Sequence, residues 1–95
     1  MSFSIVFLES ARRDITDAFN YFEQIDVLIA ERFEADIDTS VELILKNPYL
    51  FRKVAGEFRQ KSLDVFSYVL VYTILNNTII CSRVFHTSRN PDHKF

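Results

Sequence analysis

The chain has 95 residues, 48% of them hydrophobic and 15% aromatic, with a formal net charge of −2. That is enough apolar mass for one core and excludes a second, so residues 1–95 are read as a single domain. The 25% charged residues, one Gly and two Pro exclude a disordered or low-complexity chain, and the lone Cys81 excludes an internal disulfide.

The N-terminal stretch MSFSIVFLESARRD has no basic region ahead of its short apolar run, so a secretory leader is not expected. No apolar run approaches the length of a membrane span. A reduced, cytoplasmic setting without membrane contact is the expectation. Phe3 to Leu8 reads as a first strand. Ser10 is a candidate helix cap. Ala11, Ile15, Ala18, Phe22 and Ile25 then recur at steps of four, three, four and three, one face of a helix over about 11–25. Asp26 is a candidate cap for a second helix. There Ala30, Phe33, Ile37, Val41 and Ile44 form the apolar stripe, with Glu31, Glu34, Asp38 and Glu42 mostly on the other side. Pro48 disfavours helical geometry at Asn47 and stops it. The two helices form an antiparallel hairpin.

Tyr49 to Glu57 reads as a connector. Phe58 to Leu63 is a second strand, Tyr68 to Leu75 a third, and Thr78 to His86 a fourth. Asn76-Asn77 is a two-residue turn, since Asn tolerates the positive φ of primed turns. The order β-α-α-β-β-β predicts an α+β domain with the helical hairpin on one face of an antiparallel sheet. If Asn76-Asn77 is the whole loop, Leu70 faces Arg83 and Tyr68 faces Phe85. Side-chain alternation then puts Tyr68, Leu70, Tyr72, Ile74, Ile79, Cys81, Arg83 and Phe85 on one side. Val69, Val71, Thr73, Ile80, Ser82, Val84 and His86 share the other. Both sides are largely apolar and the helices cover only one. An exposed apolar face, a site for a partner or a second copy, is therefore expected.

Charge divides unevenly. Residues 1–45 hold three basic and ten acidic residues, a balance of −7; residues 46–95 hold eight basic and three acidic, a balance of +5. The asymmetry fits either an anionic partner for the second half or an acidic helical surface beside a mixed sheet. Arg59 and Lys61 alternate on the second strand and point the same way. Pairing beside the third strand would bring them toward Arg83 and Arg89, a set able to hold phosphate oxygens. Scattered surface cations are the simpler alternative. His86 is either a general base or a strand-end histidine bonded to backbone. The two histidines have no metal-site spacing, so no metal or cofactor is expected. Cys81 reads as a small buried apolar residue.

In order along the chain, these segments resemble the RelE/ParE superfamily, the toxins of bacterial type II toxin–antitoxin systems. FSIVFLESARRDITDAFNYF resembles its first strand and helix start, with Ala11 and Asp14. AERFEADIDTSVELILKNPYL resembles its second helix. Tyr68 and Tyr72, then Arg83, Val84, His86 and Arg89, resemble its strand-three and strand-four pattern. The resemblance implies a growth inhibitor neutralised by a cognate antitoxin, with DNA reached only through that antitoxin. Two targets follow from it: DNA gyrase in the ParE branch, or ribosome-bound mRNA cleaved by a RelE-like endonuclease. Val69 stands where the nucleases carry an Arg, and no Tyr follows Arg89, while VFHTSRNP resembles the ParE branch. The resemblance thus implies a ParE-like binding protein, with Arg59, Lys61, Arg83, His86 and Arg89 as contact candidates. The first four are also the catalytic candidates of the nuclease alternative.

Overall fold

The computed structural model describes residues 2–88. Its elements are β1 (Ser4–Phe7), α1 (Glu9–Ile25), α2 (Val27–Lys46), β2 (Lys53–Ala55), β3 (Phe58–Ser62), β4 (Tyr68–Leu75) and β5 (Thr78–His86). The α+β class and the helical hairpin stand as expected. The sheet is mixed rather than antiparallel, in the order β1-β5-β4-β3-β2. The first strand lies parallel to the last, Ser4 beside Thr78 and Phe7 beside Cys81. The intervening helical hairpin makes this possible, since a parallel neighbour needs a long crossover. Within the expected connector, Lys53–Ala55 adds a fifth strand antiparallel to β3. Among the described residues no helix is long and apolar enough to cross a membrane.

Asp26 caps α2 as expected, its Oδ1 accepting from the amide of Leu28 at 2.9 Å. Ser10 does not cap α1. That helix begins at Glu9, after an extended Leu8 that supplies no side-chain cap. The Ser10 hydroxyl instead donates to the Ser82 carbonyl at 2.7 Å, fastening the helix start to β5. Asn76 takes the left-handed conformation at φ 56, as a tight turn requires.

From the turn, the β4–β5 register runs as expected to Tyr72 opposite Cys81. A register shift then places Arg83 opposite Val71, Val84 opposite Leu70 and His86 opposite Tyr68. The expected pairs Leu70–Arg83 and Tyr68–Phe85 are therefore wrong. Ser82 is the extra residue of a bulge, and one inserted residue reverses the side-chain parity beyond it. Val84 consequently joins Tyr68, Leu70, Tyr72, Ile79 and Cys81 in the core under the helices, which supply Phe33, Ile37 and Ile44. Phe85 moves to the far side with Val69, Val71 and Phe58.

The centre of that far side is not the open apolar face expected. Val69, Val71 and Phe85 are 1%, 0% and 3% exposed in the single chain. Strand β4 is buried without interruption from Tyr68 to Tyr72, because it is covered on both sides. Exposed large apolar residues lie at the hairpin tip (Ile25, Val27, Leu28), at Tyr49 and Leu50, at Val65, and at the margins of that far side, in Val6 of β1, Leu8 just after it and Leu75.

Candidate functional site

Arg59 and Lys61 are opposite Tyr72 and Leu70, on the helix side of the sheet, and do point the same way. Neither projects into solvent as a phosphate ligand would. The Arg59 guanidinium donates through Nη1 to the carbonyls of Phe51 at 2.7 Å and Tyr49 at 3.3 Å, and lies over the Tyr49 ring. It ties the 49–51 connector to the sheet. Lys61 is 5% exposed. Its ammonium donates to the Ser62 carbonyl at 2.7 Å, reaches Asp64 Oδ1 at 3.4 Å and sits against the Phe51 ring.

Arg83 is on β5, separated from β3 by the whole of β4. It turns to α1, where Nε and Nη2 donate to Oδ2 and Oδ1 of Asp14 at 2.7 and 3.3 Å. The amide of Val84 donates to the same Oδ2 at 2.9 Å. Hydrogen bonding to Asp14 holds the Arg83 guanidinium above its ordinary pKa, against the opposing effect of burial. His86 takes the backbone-bonded role: its Nδ1 accepts from the amide of Ser88 at 3.1 Å, and its ring meets Tyr68 edge-on at 5.2 Å. Arg89 lies outside the described residues.

Two separate groups of side chains result. Arg59 and Lys61 stitch β3 to its flanking loops. Arg83 and His86 line a cleft of about 220 Å³ between α1 and the end of β5, walled also by Asp14, Asp17 and Tyr21 of α1 and by Tyr68. Its charge is mixed, with a carboxylate already occupying the guanidinium. Arg59 and Lys61 do not converge with Arg83 on one phosphate-sized spot, because β3 and β5 are not neighbours in the sheet.

A model of the ParE toxin of type II toxin–antitoxin system, parDE, matches residues 5–91. The chain belongs to the ParE toxin family. No curated protein sequence matches it. In fold it is similar to a chain of the chromosomal ParDE TA system from P. aeruginosa, with TM-score 0.76 and 15% identity over 88% of this chain and 95% of that one. A chain of the RelB–RelE antitoxin–toxin complex from Methanococcus jannaschii is also similar, with TM-score 0.54 and 17% identity over 95% and 99%.

In this ParE chain, two carboxylates matter that the sequence reading did not single out as site residues. Asp14 entered only as part of a helix-start pattern; no local signal shows that its partner lies on the last strand. Asp36 is 5% exposed on α2. It accepts from the amides of Asp64, Val65 and Phe66 at 3.3, 2.9 and 2.8 Å, holding the β3–β4 loop. An acidic residue three positions after Phe33, in phase with the apolar stripe, was the available signal. Two nucleophile-type groups are held in their protonated forms. Burial pushes the Cys81 thiol up to about 12. Burial likewise lifts the Tyr72 phenol to about 12, with the Arg59 charge pulling the other way, and its hydroxyl donates to the Pro48 carbonyl at 2.6 Å.

Proposed function

We propose that this ParE-family chain inhibits growth by binding DNA gyrase, and that a cognate antitoxin neutralises it by covering its surface. Family membership over residues 5–91 supports the toxin role. The observation that carries the choice of target is the state of the cations. Scission of RNA next to its 2′-hydroxyl requires cationic groups converging on one phosphate, free to meet the charge as it develops. Here Arg83 is held by Asp14, Arg59 by main-chain carbonyls, and Lys61 lies buried beside Phe51. Their disposition favours docking over phosphate chemistry. The resemblance to ParDE and RelB–RelE chains in fold supports a partner of antitoxin type.

The test adds purified chain to gyrase supercoiling reactions and, separately, to ribosomes translating a defined mRNA. Supercoiling is expected to fail and the mRNA to stay intact, with co-expressed antitoxin restoring growth. Cleavage of the mRNA, lost in the Arg83→Ala/His86→Ala double variant, would replace this reading with the endonuclease. Unimpaired growth on expression without the antitoxin would overturn both.

A further inference from the structure

The sheet has two outer strands, β1 and β2, and they are built differently. Strand β2 has three residues, begins at an exposed Lys53, shifts register before Ala55 and is followed at once by Gly56, which takes φ 52. Short length, charge and irregularity are the devices that keep an edge from adding to another strand. Strand β1 lacks them. Residues 2–8, SFSIVFL, carry no charge and no proline. The register with β5 is regular throughout.

Phe3, Ile5 and Phe7 pack against the core. Alternation leaves Val6 and Leu8 on the other side, 47% and 46% exposed. The amides of Ser4 and Leu8 donate to Asn77 and Cys81 of the β5 side at 3.0 Å each. In a parallel ladder, residues alternate between bonding to the neighbour and turning away. The amides and carbonyls of Ile5 and Phe7 therefore face outward, and no strand among the described residues pairs with them.

Charge and symmetry select the occupant. The first half of the chain is strongly acidic, and a face such as Glu31, Glu34, Asp38 and Glu42 of α2 repels its own copy. Strand β1 lies in that half but carries no charge. An antiparallel pair of identical strands is two-fold symmetric, so an edge complementary to itself closes as a dimer. With the axis through Val6, Ile5 of each copy faces Phe7 of the other, and Ser4 faces Leu8. The Ile5–Phe7 pairs bring the outward backbone groups together, and Val6 meets Val6. We propose that the β1 edge is a homodimer interface, through which two copies of this chain join into one sheet.

The experiment measures the mass of the full-length chain by sedimentation equilibrium over a range of concentrations. The expected mass rises from 11.2 kDa to twice that value. Val6→Lys places a like charge beside its own copy at the axis and weakens association more than about tenfold. Its circular dichroism stays that of the parent, because Val6 is half-exposed. Hydrogen exchange on the unaltered chain supplies a measurement that needs no variant: Ile5 and Phe7 amides gain protection as concentration rises. A chain monomeric at every concentration, a Val6→Lys dimer of undiminished affinity, or protection independent of concentration overturns the proposal. None of these readouts depends on gyrase or antitoxin, so the result stands apart from the function proposed above.

Discussion

Arg83 and Asp14, 69 residues apart in the chain, are joined by two hydrogen bonds of 2.7 and 3.3 Å. The same carboxylate takes the Val84 amide. Beyond Phe7 the first strand no longer accompanies β5, and Asp14 satisfies the amide that a neighbouring strand would otherwise have paired. The pair is therefore part of the sheet's edge as well as of the α1 packing.

Asp14→Ala strands both the guanidinium and the Val84 amide. A loss of about 2–3 kcal/mol is expected, discounted for the partial exposure of Arg83. Urea unfolding reads this as a lower midpoint with an unchanged slope. Asp14→Asn keeps one acceptor and loses about half as much. A midpoint unmoved by Asp14→Ala would show that the pair does not hold α1.

Asp36→Ala removes the acceptor of three loop amides at once. The cost is about 2–4 kcal/mol, since each stranded donor in a half-buried loop carries a penalty. Hydrogen exchange at Asp64, Val65 and Phe66 should accelerate more than exchange in β4. Equal acceleration across the molecule would mean that Asp36 supports the fold globally and not the loop.

Stability is expected to fall steeply in alkali. Cys81 and Tyr72 are raised from ordinary values of 9.0 and 10.0 to about 12. Both are neutral when protonated, so the folded state holds its protons while the unfolded chain loses them. Their stabilising contribution is complete below pH 9 and drains away between pH 9 and 12. Cys81→Ala removes the thiol's part of this slope and Tyr72→Phe the phenol's. Tyr72→Phe also gives up the bond to the Pro48 carbonyl, about 1 kcal/mol at neutral pH. A Cys81→Ala, Tyr72→Phe double variant with the parent's full pH profile would rule out this origin.

The two helix starts separate experimentally. Asp26→Ala loses a side-chain cap and about 1 kcal/mol, visible as a lower melting midpoint. Ser10→Ala loses a tether to the Ser82 carbonyl instead. Its signature is faster exchange at the bulge around Ser82, with the helix content of α1 unchanged by circular dichroism.

Local pattern was sufficient wherever the physics is local. The helix periods of α1 and α2, the Asp26 cap, the Asn47-Pro48 stop and the Asn76-Asn77 turn all depend on neighbours within four residues. So does the buried stripe from Ala30 to Ile44. The two-sided burial of β4 differs from the open face that its unbroken apolar run predicts when the helices alone supply cover. Alternation without a break fails here: one bulged residue at Ser82 reverses the assignments of Val84, Phe85 and His86, and a bulge has no reliable sequence mark.

The sequence by itself determined the class of fold, the hairpin of helices, the strands flanking the Asn turn and the uncharged character of β1. Tertiary structure alone decided which strand neighbours which. That choice set β1 parallel to β5, kept Arg59 and Lys61 apart from Arg83 and His86, and gave Arg83 to Asp14. Strand order and ion pairing across tens of residues depend on which surfaces meet when the helices fold back over the sheet. Spacing along a chain encodes the period of each element, but carries no information on the distance between elements once they are packed.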